Sequence, residues 1–588
     1  MTKILKRLNG KEWMLIFFSL VFIVAQVWLD LKMPDYMKEI TELVQKAGNA
    51  LKDIWIAGGF MLLCALGSMA SAVVVGFFAA RIGASFSMRL RSELFNRVES
   101  FSMEEINRFS TSSLITRSTN DVMQVQMFIA MGLQMIIKAP IMAVWAVTKI
   151  MGKGYEWTLV TAAAVGILIA MFILVLIFVV PKFKMMQTLT DNLTRVTREN
   201  LMGLRVVRAY NAESYQEGKF DTANKELTDT HLYTSRAMAF MMPVIGLVMS
   251  GLSLAIYWIG SYLINQAGLM ERLELFSNMV VFSQYAMQVI MAFMMFVMMF
   301  VFLPRASVSA KRINEVLETK PAIIEGSGGL TSISGGKPVL PGTVEFRNVS
   351  FKYPGAADDV LTDVSFTVKP GETAAFIGST GSGKSTLINL VPRFFDVTEG
   401  EVLVNGVNVK DYKFEELYGK IGYVPQKAVL FKGTVESNVK YGDNDGDVQT
   451  AARIAQAAEF VEEMDGKYEA QIAQGGTNVS GGQKQRLAIA RAVCRKPDIY
   501  VFDDSFSALD YKTDRVLRNA LKKETAGVTS LIVAQRIGTI MDADQIIVLD
   551  EGRVVGKGTH KELLKDCEVY REIAASQLSE EELGGVKI

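Results

Sequence analysis

Gly378-Ser379-Thr380-Gly381-Ser382-Gly383-Lys384-Ser385-Thr386 satisfies the pattern of a phosphate-binding loop. A β-prone run, Thr373 to Ile377, precedes it and an apolar helical run, Leu387 to Leu390, follows, which is the strand-loop-helix context the motif needs. Its glycines let the backbone curl until successive N–H groups point at phosphate oxygens, and the helix behind adds its positive N-terminal end. Lys384 is placed to reach the β- and γ-phosphates, and Ser385 to hold a magnesium ion.

Working outward, 588 residues are too many for one core, so two or more domains are expected. Half the residues are hydrophobic, 21% are charged and the net charge is +1, which excludes a nucleic-acid binder driven by bulk positive charge. The apolar excess lies before about residue 304, in runs long enough to cross the roughly 30 Å hydrocarbon layer as helix. Spans are expected near 13–33, 54–80, 125–150, 157–180, 238–264 and 276–303. The first, from Trp13, lacks a small-residue cleavage site and reads as a retained span. Cys64, Cys494 and Cys567 show no ligand spacing and imply neither a disulfide framework nor a zinc site.

Met1 to Lys11 mixes Lys3, Lys6, Arg7 and Lys11 with Ile4, Leu5 and Leu8, which suits a short helix on the cytoplasmic membrane surface. Arginines crowd the connections between spans two and three and between four and five, so these connections and both termini are expected in the cytoplasm. Both connections keep helical spacing (Leu90, Leu94, Val98, Phe101; Leu201, Leu204, Val207) and lack proline, so each is expected to form two helical arms joined at a tip. Tryptophans near span ends are expected at the membrane interface. The transmembrane domain is thus assigned to 1–317, a Gly/Ser/Thr/Pro-rich linker to 318–342, and a nucleotide-binding domain with its C-terminal tail to 343–588. In that last domain, β-prone segments at Val344–Phe346, Ala374–Ile377, Ile421–Val424, Ile499–Phe502, Ser530–Val533 and Gln545–Leu549 alternate with helical ones.

Further motifs follow the loop. Val479-Ser480-Gly481-Gly482-Gln483 is a small-residue turn opening a helix, and the run Ile499 to Phe502 ends in Asp503. With six preceding spans, this resembles the ATP-binding cassette (ABC) exporters over nearly the whole chain. The resemblance implies the type I/type IV ABC exporter fold: a six-helix all-α transmembrane domain with long cytoplasmic helical extensions, then an α/β P-loop NTPase domain. In that family two cassettes meet head to tail, and ATP with Mg2+ is held between the phosphate loop of one and the Ser-Gly-Gly-Gln turn of the other. By the same resemblance Tyr353 stacks on adenine, Gln426 touches magnesium, Asp503 binds magnesium through water, and Asp510 ends the Ser507-Ala508-Leu509-Asp510 segment between the cassettes. Leu114 to Asp121 and Gly203 to Tyr210, within 111–121 and 203–215, resemble the coupling helices at the arm tips.

Two positions depart from the family. After Asp503 the family has a glutamate that polarises the attacking water, whereas this chain has Asp504, shorter by one methylene or about 1.5 Å. The family's histidine that grips the γ-phosphate is replaced by Gln535, which offers no positive charge or proton. The binding residues are retained, so the resemblance narrows to the degenerate-site subunit of bacterial heterodimeric multidrug exporters. A second half-transporter would then supply the intact glutamate and histidine, and this chain's Ser480 turn would complete the partner's site. Gln471 and Gln474 replace glutamates thought to touch the coupling helices.

For cargo, Met287, Met291, Met294, Met295 and Met298 form a stripe at helical spacing on the sixth span, with Phe293 and Phe296 beside it. Flexible thioethers suit a pocket for varied hydrophobic or amphipathic molecules, and they equally suit packing or lipid contact; the residues alone leave both open. Lys138, in the third apolar run, is expected to snorkel to the cytoplasmic interface. Membrane lipid is an expected partner. Lipid or peptide cargo, a homodimer with slow sites, and a nucleotide-gated channel or scaffold are the alternatives.

Overall fold

The computed structural model describes residues 1–578, less 46–50, 152–153, 269–270, 329–332, 335–336, 339–340 and 443–444. Parts of the expected linker and the end of the expected C-terminal tail lie outside the described residues. The chain divides into two units, 1–99 with 112–319, and 100–111 with 320–588.

The first unit is helical: α1 (Thr2–Leu5), α2 (Gly10–Gln45), α3 (Leu51–Glu99), α4 (Met103–Phe109, assigned to the second unit), α5 (Thr111–Thr116), α6 (Val122–Ile150), α7 (Tyr155–Phe178), α8 (Val180–Met202), α9 (Leu204–Ala209), α10 (Glu213–Gln266) and α11 (Glu271–Glu318). Six stretches among the described residues are long and apolar enough to cross a membrane, one for each expected span. Pro34, Pro140, Pro243 and Pro304 sit inside these helices, as membrane helices tolerate. Met186 faces His231 and Glu199 faces Lys219, so α8 and α10 run antiparallel and the chain reverses at α9, as expected.

The first reversal falls earlier than expected. Gly83 lies against Gln126 and Gly76 against Gln134, so α3 and α6 are antiparallel and the chain turns over 100–110. Leu114 to Asp121 is instead the start of a continuous apolar helix, joined to α6 by a π-helical turn at Arg117–Asp121. Its polar groups bind α11: Arg117 reaches the Arg312 carbonyl at 2.6 Å and Glu315 at 2.9 Å, and Ser309 donates to Asp121 at 2.7 Å.

Two further expectations are corrected. Only Thr2–Leu5 is helical at the N-terminus, with Ile4 fully buried and Lys3 2.8 Å from Glu318, so ion pairs and burial within the unit hold this segment. Trp157 is fully buried, its Nε1 donating to the Ile256 carbonyl at 3.2 Å and its ring tilted on Phe282, so it belongs to the core of the bundle rather than to an interface.

The second unit carries two sheets. One is antiparallel, in the order β2 (Leu361–Val368), β1 (Val344–Phe351), β4 (Glu399–Val404), β5 (Val407–Asn408). The other has six strands in the order β10 (Arg553–Gly558), β9 (Gln545–Asp550), β3 (Thr373–Gly378), β8 (Thr529–Val533), β7 (Ile499–Asp503), β6 (Ile421–Val424), all parallel except β10. The inner strands are nearly continuous apolar runs because both faces are covered, one by helices and the other by the antiparallel sheet together with the helix at Lys384–Asn389. In the same unit α4 is closed by a capping box in which Glu105 accepts from Ser102 N at 2.8 Å and also from Ala322 N at 3.0 Å.

Candidate functional site: a nucleotide-binding edge

Parallel pairing fixes where the site forms. Val533 lies opposite Phe376 and Asp503, and Phe502 opposite Val424, so the loops after β3, β6, β7 and β8 leave one edge of the sheet. That edge gathers the phosphate loop, Gln426, Asp503 with Asp504, and Gln535. Open parallel sheets bind ligands at this edge.

At the loop, an added Cβ on Gly378 would lie 2.0 Å from the Leu549 carbonyl oxygen, so only glycine fits. Gly383, at φ 93°, turns the chain into α12 (Lys384–Asn389). Lys384 Nζ curls over the loop, 2.7 Å from the Ser379 carbonyl and 2.9 Å from that of Gly378. Ser385 Oγ donates to Asp503 Oδ1 at 2.7 Å. Tyr353 OH is 3.0 Å from Thr386 Oγ1, and the ring stands edge-on to Phe395 at 5.2 Å, so the expected adenine platform adjoins the loop.

Asp503 and Asp504 are both buried. Burial pushes both carboxyls above the ordinary range, opposed at Asp503 by the Ser385 hydrogen bond and at Asp504 by that of Gln426. Burial likewise lowers Lys384, against the pull of Asp504 and Asp503. The two substituted positions touch: Gln535 Nε2 donates to Asp504 Oδ2 at 2.8 Å, and Gln426 Nε2 approaches the same oxygen at 3.4 Å. Asp504 holds φ 47°, a left-handed conformation that aspartate tolerates better than most residues.

Gln577, which the sequence reading did not single out, spans the Gln535 turn by donating to the Gln535 carbonyl at 2.9 Å and accepting from Ile537 N at 2.8 Å. Nothing local in the sequence signals it, since it lies 42 residues beyond Gln535. The hydroxyl of Ser385, the carboxylate of Asp503 and the amide oxygen of Gln426 are oxygen donors of the kind a magnesium ion takes, and Ser385 and Asp503 already adjoin.

The Ser480 turn is built separately. Ser480 caps α13 (Gly481–Cys494) in a reciprocal box with Gln483, at 2.8 and 3.3 Å, and Gly482 approaches Ala508 and Leu509. Asp510 caps α14 (Tyr511–Glu524) through Thr513 N at 3.0 Å. The partners of this turn are the segment 508–509 and its own helix.

In the membrane unit, Met291 and Met298 are exposed whereas Met287, Met294 and Met295 are partly buried, so the stripe serves packing along part of its length. Lys138 does not reach a helix end. It sits in the middle of α6 with Nζ 3.2 Å from Asp30 Oδ2, because an acid on α2 gives it a partner inside the bundle.

A pH effect arises at the C-terminal helices. His560 Nδ1 is 2.7 Å from the buried Tyr570 hydroxyl, and burial lowers the imidazole below its ordinary value, with Asp542 opposing and Lys561 assisting. Below about pH 6.5 the unfolded chain takes up this proton before the folded one, so stability falls as pH drops toward the folded value. The thermal midpoint of the full chain should therefore fall more between about pH 7 and about pH 5 than that of His560→Gln. Equal slopes would show that His560 does not carry the dependence.

Residues 16–293 match the ABC transporter transmembrane region and 361–507 the ABC transporter family. The chain is 42% identical to an ABC transporter ATP-binding protein of Mycobacterium bovis over 90% of this chain and 89% of the relative. It is 35% identical to the ABC transporter ATP-binding protein YfiB of Bacillus subtilis, over 90% and 91%. It is also 30% identical to an ATP-dependent lipid A-core flippase of Pseudomonas aeruginosa, over 86% and 82%. The structure of a bacterial Atm1-family ABC exporter with ATP bound has the same fold, with TM-score 0.75, 23% identity, and coverage of 96% of this chain and 99% of that one. With a six-helix membrane unit joined to a cassette that carries the phosphate loop, this chain belongs to the ABC transporter family as an exporter of the ATPase type.

Proposed function

We propose that this chain is the degenerate-site half of a heterodimeric exporter that uses ATP to move hydrophobic or amphipathic small molecules across the cytoplasmic membrane. The observation that carries the reading is the Gln535–Asp504 hydrogen bond, in a site whose phosphate loop and Ser385–Asp503 pair are intact. An aspartate tied to a glutamine amide has neither the reach of the longer acid nor a neighbour that can hold the γ-phosphate by charge. The loop amides and Lys384 bind phosphate, Tyr353 supports the base, and Ser385, Gln426 and Asp503 hold Mg2+, which when bound offsets phosphate charge. Ser480 to Gln483 presents a helix N-terminus to the nucleotide on the partner's loop, and Asp510 borders the partner. Nucleotide thus draws the cassettes together, and the turns at α4 and α9 carry that movement to the spans. The arginine-rich connections support a cytoplasmic location for both termini and the cassette.

The test is nucleotide hydrolysis by the purified chain in lipid nanodiscs, alone and co-expressed with the exporter gene beside its own. Activity near background alone, appearing with the partner and lost when the partner's catalytic glutamate is replaced, supports the reading. Brisk hydrolysis by the chain alone that Asp504→Ala abolishes would instead make it a homodimer with Asp504 as its base. A lipid cargo is the second reading, favoured by relatives described as lipid A-core flippases. Movement of a labelled lipid between leaflets, in place of small-molecule efflux, would decide for it.

A further inference from the structure

Inside the membrane unit, four helices each bring one polar side chain to one place. Asp30 on α2 pairs with Lys138 on α6 at 3.2 Å and accepts from Ser68 on α3, while Gln288 on α11 donates from Nε2 to the Asp30 carbonyl at 3.2 Å. The carboxylate and ammonium are only 16% and 19% exposed, and charges held this far inside an apolar bundle are costly, which makes the pair a candidate functional group. Gln288 Oε1 is buried and accepts no hydrogen bond in this arrangement. By contrast Asp35, further along α2, is bonded by both Tyr285 and Lys149 at 2.6 Å.

We propose that Asp30, Lys138, Ser68 and Gln288 form a polar subsite that takes the hydrogen-bond-donating head of an amphipathic cargo, with the face of α11 that carries Met291, Met295 and Met298 receiving its apolar body. This rests on the efflux reading above. The ion pair makes the subsite nearly neutral, so the unpaired Gln288 oxygen sets its preference: a head bearing N–H or O–H satisfies it, whereas a trimethylammonium or ionised carboxylate head has no proton to give it. Gln288, Met291, Met295 and Met298 follow one another at three- and four-residue spacing, which places them on one side of α11. Met291 and Met298 on that side are half exposed, and unbranched thioethers adapt to varied chains.

The experiment uses the full chain with its partner, in nanodiscs for binding and in proteoliposomes for movement. Three probes share a dansyl-tagged alkyl tail and differ in the head: primary ammonium, trimethylammonium and carboxylate. The primary ammonium should bind about tenfold more tightly than the trimethylammonium, which has no N–H to donate. Gln288→Met should bring that ratio close to one, whereas Gln288→Glu, which keeps an acceptor, should preserve it. Because a ratio is read within each variant, general loosening of the bundle cancels. A wild-type ratio near one, or a ratio that survives Gln288→Met, overturns the subsite. If ATP drives the probes across with no preference among heads, the subsite falls and the efflux reading stands. If ATP moves none of them, the efflux reading falls, while the binding ratio still judges the subsite.

Discussion

Restoring both missing groups together, Asp504→Glu with Gln535→His, should raise hydrolysis at this chain's own site about a hundredfold or more. The loop, Ser385 and Asp503 are already in place, so the change acts on the step after binding. Glutamate regains about 1.5 Å of reach toward a water on the γ-phosphate. Histidine replaces an amide that now ties up the acid at 2.8 Å with a side chain able to hold phosphate by charge. Either change alone should give far less, since Gln535 would still occupy the acid, or the acid would still be short. The left-handed backbone at residue 504 suits aspartate better than glutamate, so the double variant should be slightly less stable. Under the proposed heterodimer reading, the measurement is turnover by the complex whose partner has lost its own glutamate, which leaves this site as the source of activity. An unchanged rate would mean that Asp504 and Gln535 are not what limits it.

Gly481→Asp should cut hydrolysis by the complex more than a hundredfold while nucleotide binding at this chain's own loop stays the same. An added Cβ at Gly481 meets nothing within 4 Å, so the fold accepts it. A carboxylate in the first turn of α13 even favours that helix, so the thermal midpoint should hold or rise. What the carboxylate opposes is phosphate: the N-terminus offered to the partner's nucleotide would present a negative charge in place of open amides. Photolabelling of this chain with an azido nucleotide, beside turnover of the complex, separates the two effects. Loss of labelling together with turnover would mean that the Ser480 turn serves this chain's own loop.

Much of this was legible in the sequence because the residues concerned act locally. The phosphate loop announces its strand and helix, and each expected span is present, since a membrane helix is written in one continuous run. The β-prone runs found the parallel strands, which are continuous and apolar, but not β2 and β10, whose alternating faces dilute the signal, nor β4, whose first half is polar and exposed. Leu114 to Asp121 was misplaced as a tip because polarity marks a turn poorly where polar groups are spent on a neighbouring helix, here Arg117 and Asp121 on α11. Lys138 was misplaced because its partner is 108 residues away, although Asp30 is visible as an acid inside an apolar run. That Asp504 and Gln535 bond one another could not be read at all; it depends on the pairing of β7 with β8.

The edge of the parallel sheet has an evolutionary consequence. Its groups arrive on separate loops: the phosphate loop after β3, Gln426 after β6, Asp503 and Asp504 at the end of β7, and Gln535 after β8. Each loop is anchored at its own strand end, while Ser385 bonds Asp503 and both Gln426 and Gln535 bond Asp504, so a change at 504 or 535 alters polar contacts across the edge but not the strands that carry it. Such an edge can shed chemistry and keep recognition. After gene duplication, two copies bound in a pair have a ready route to asymmetry: one keeps the engine and the other becomes a clamp, by two substitutions that leave the scaffold as it was.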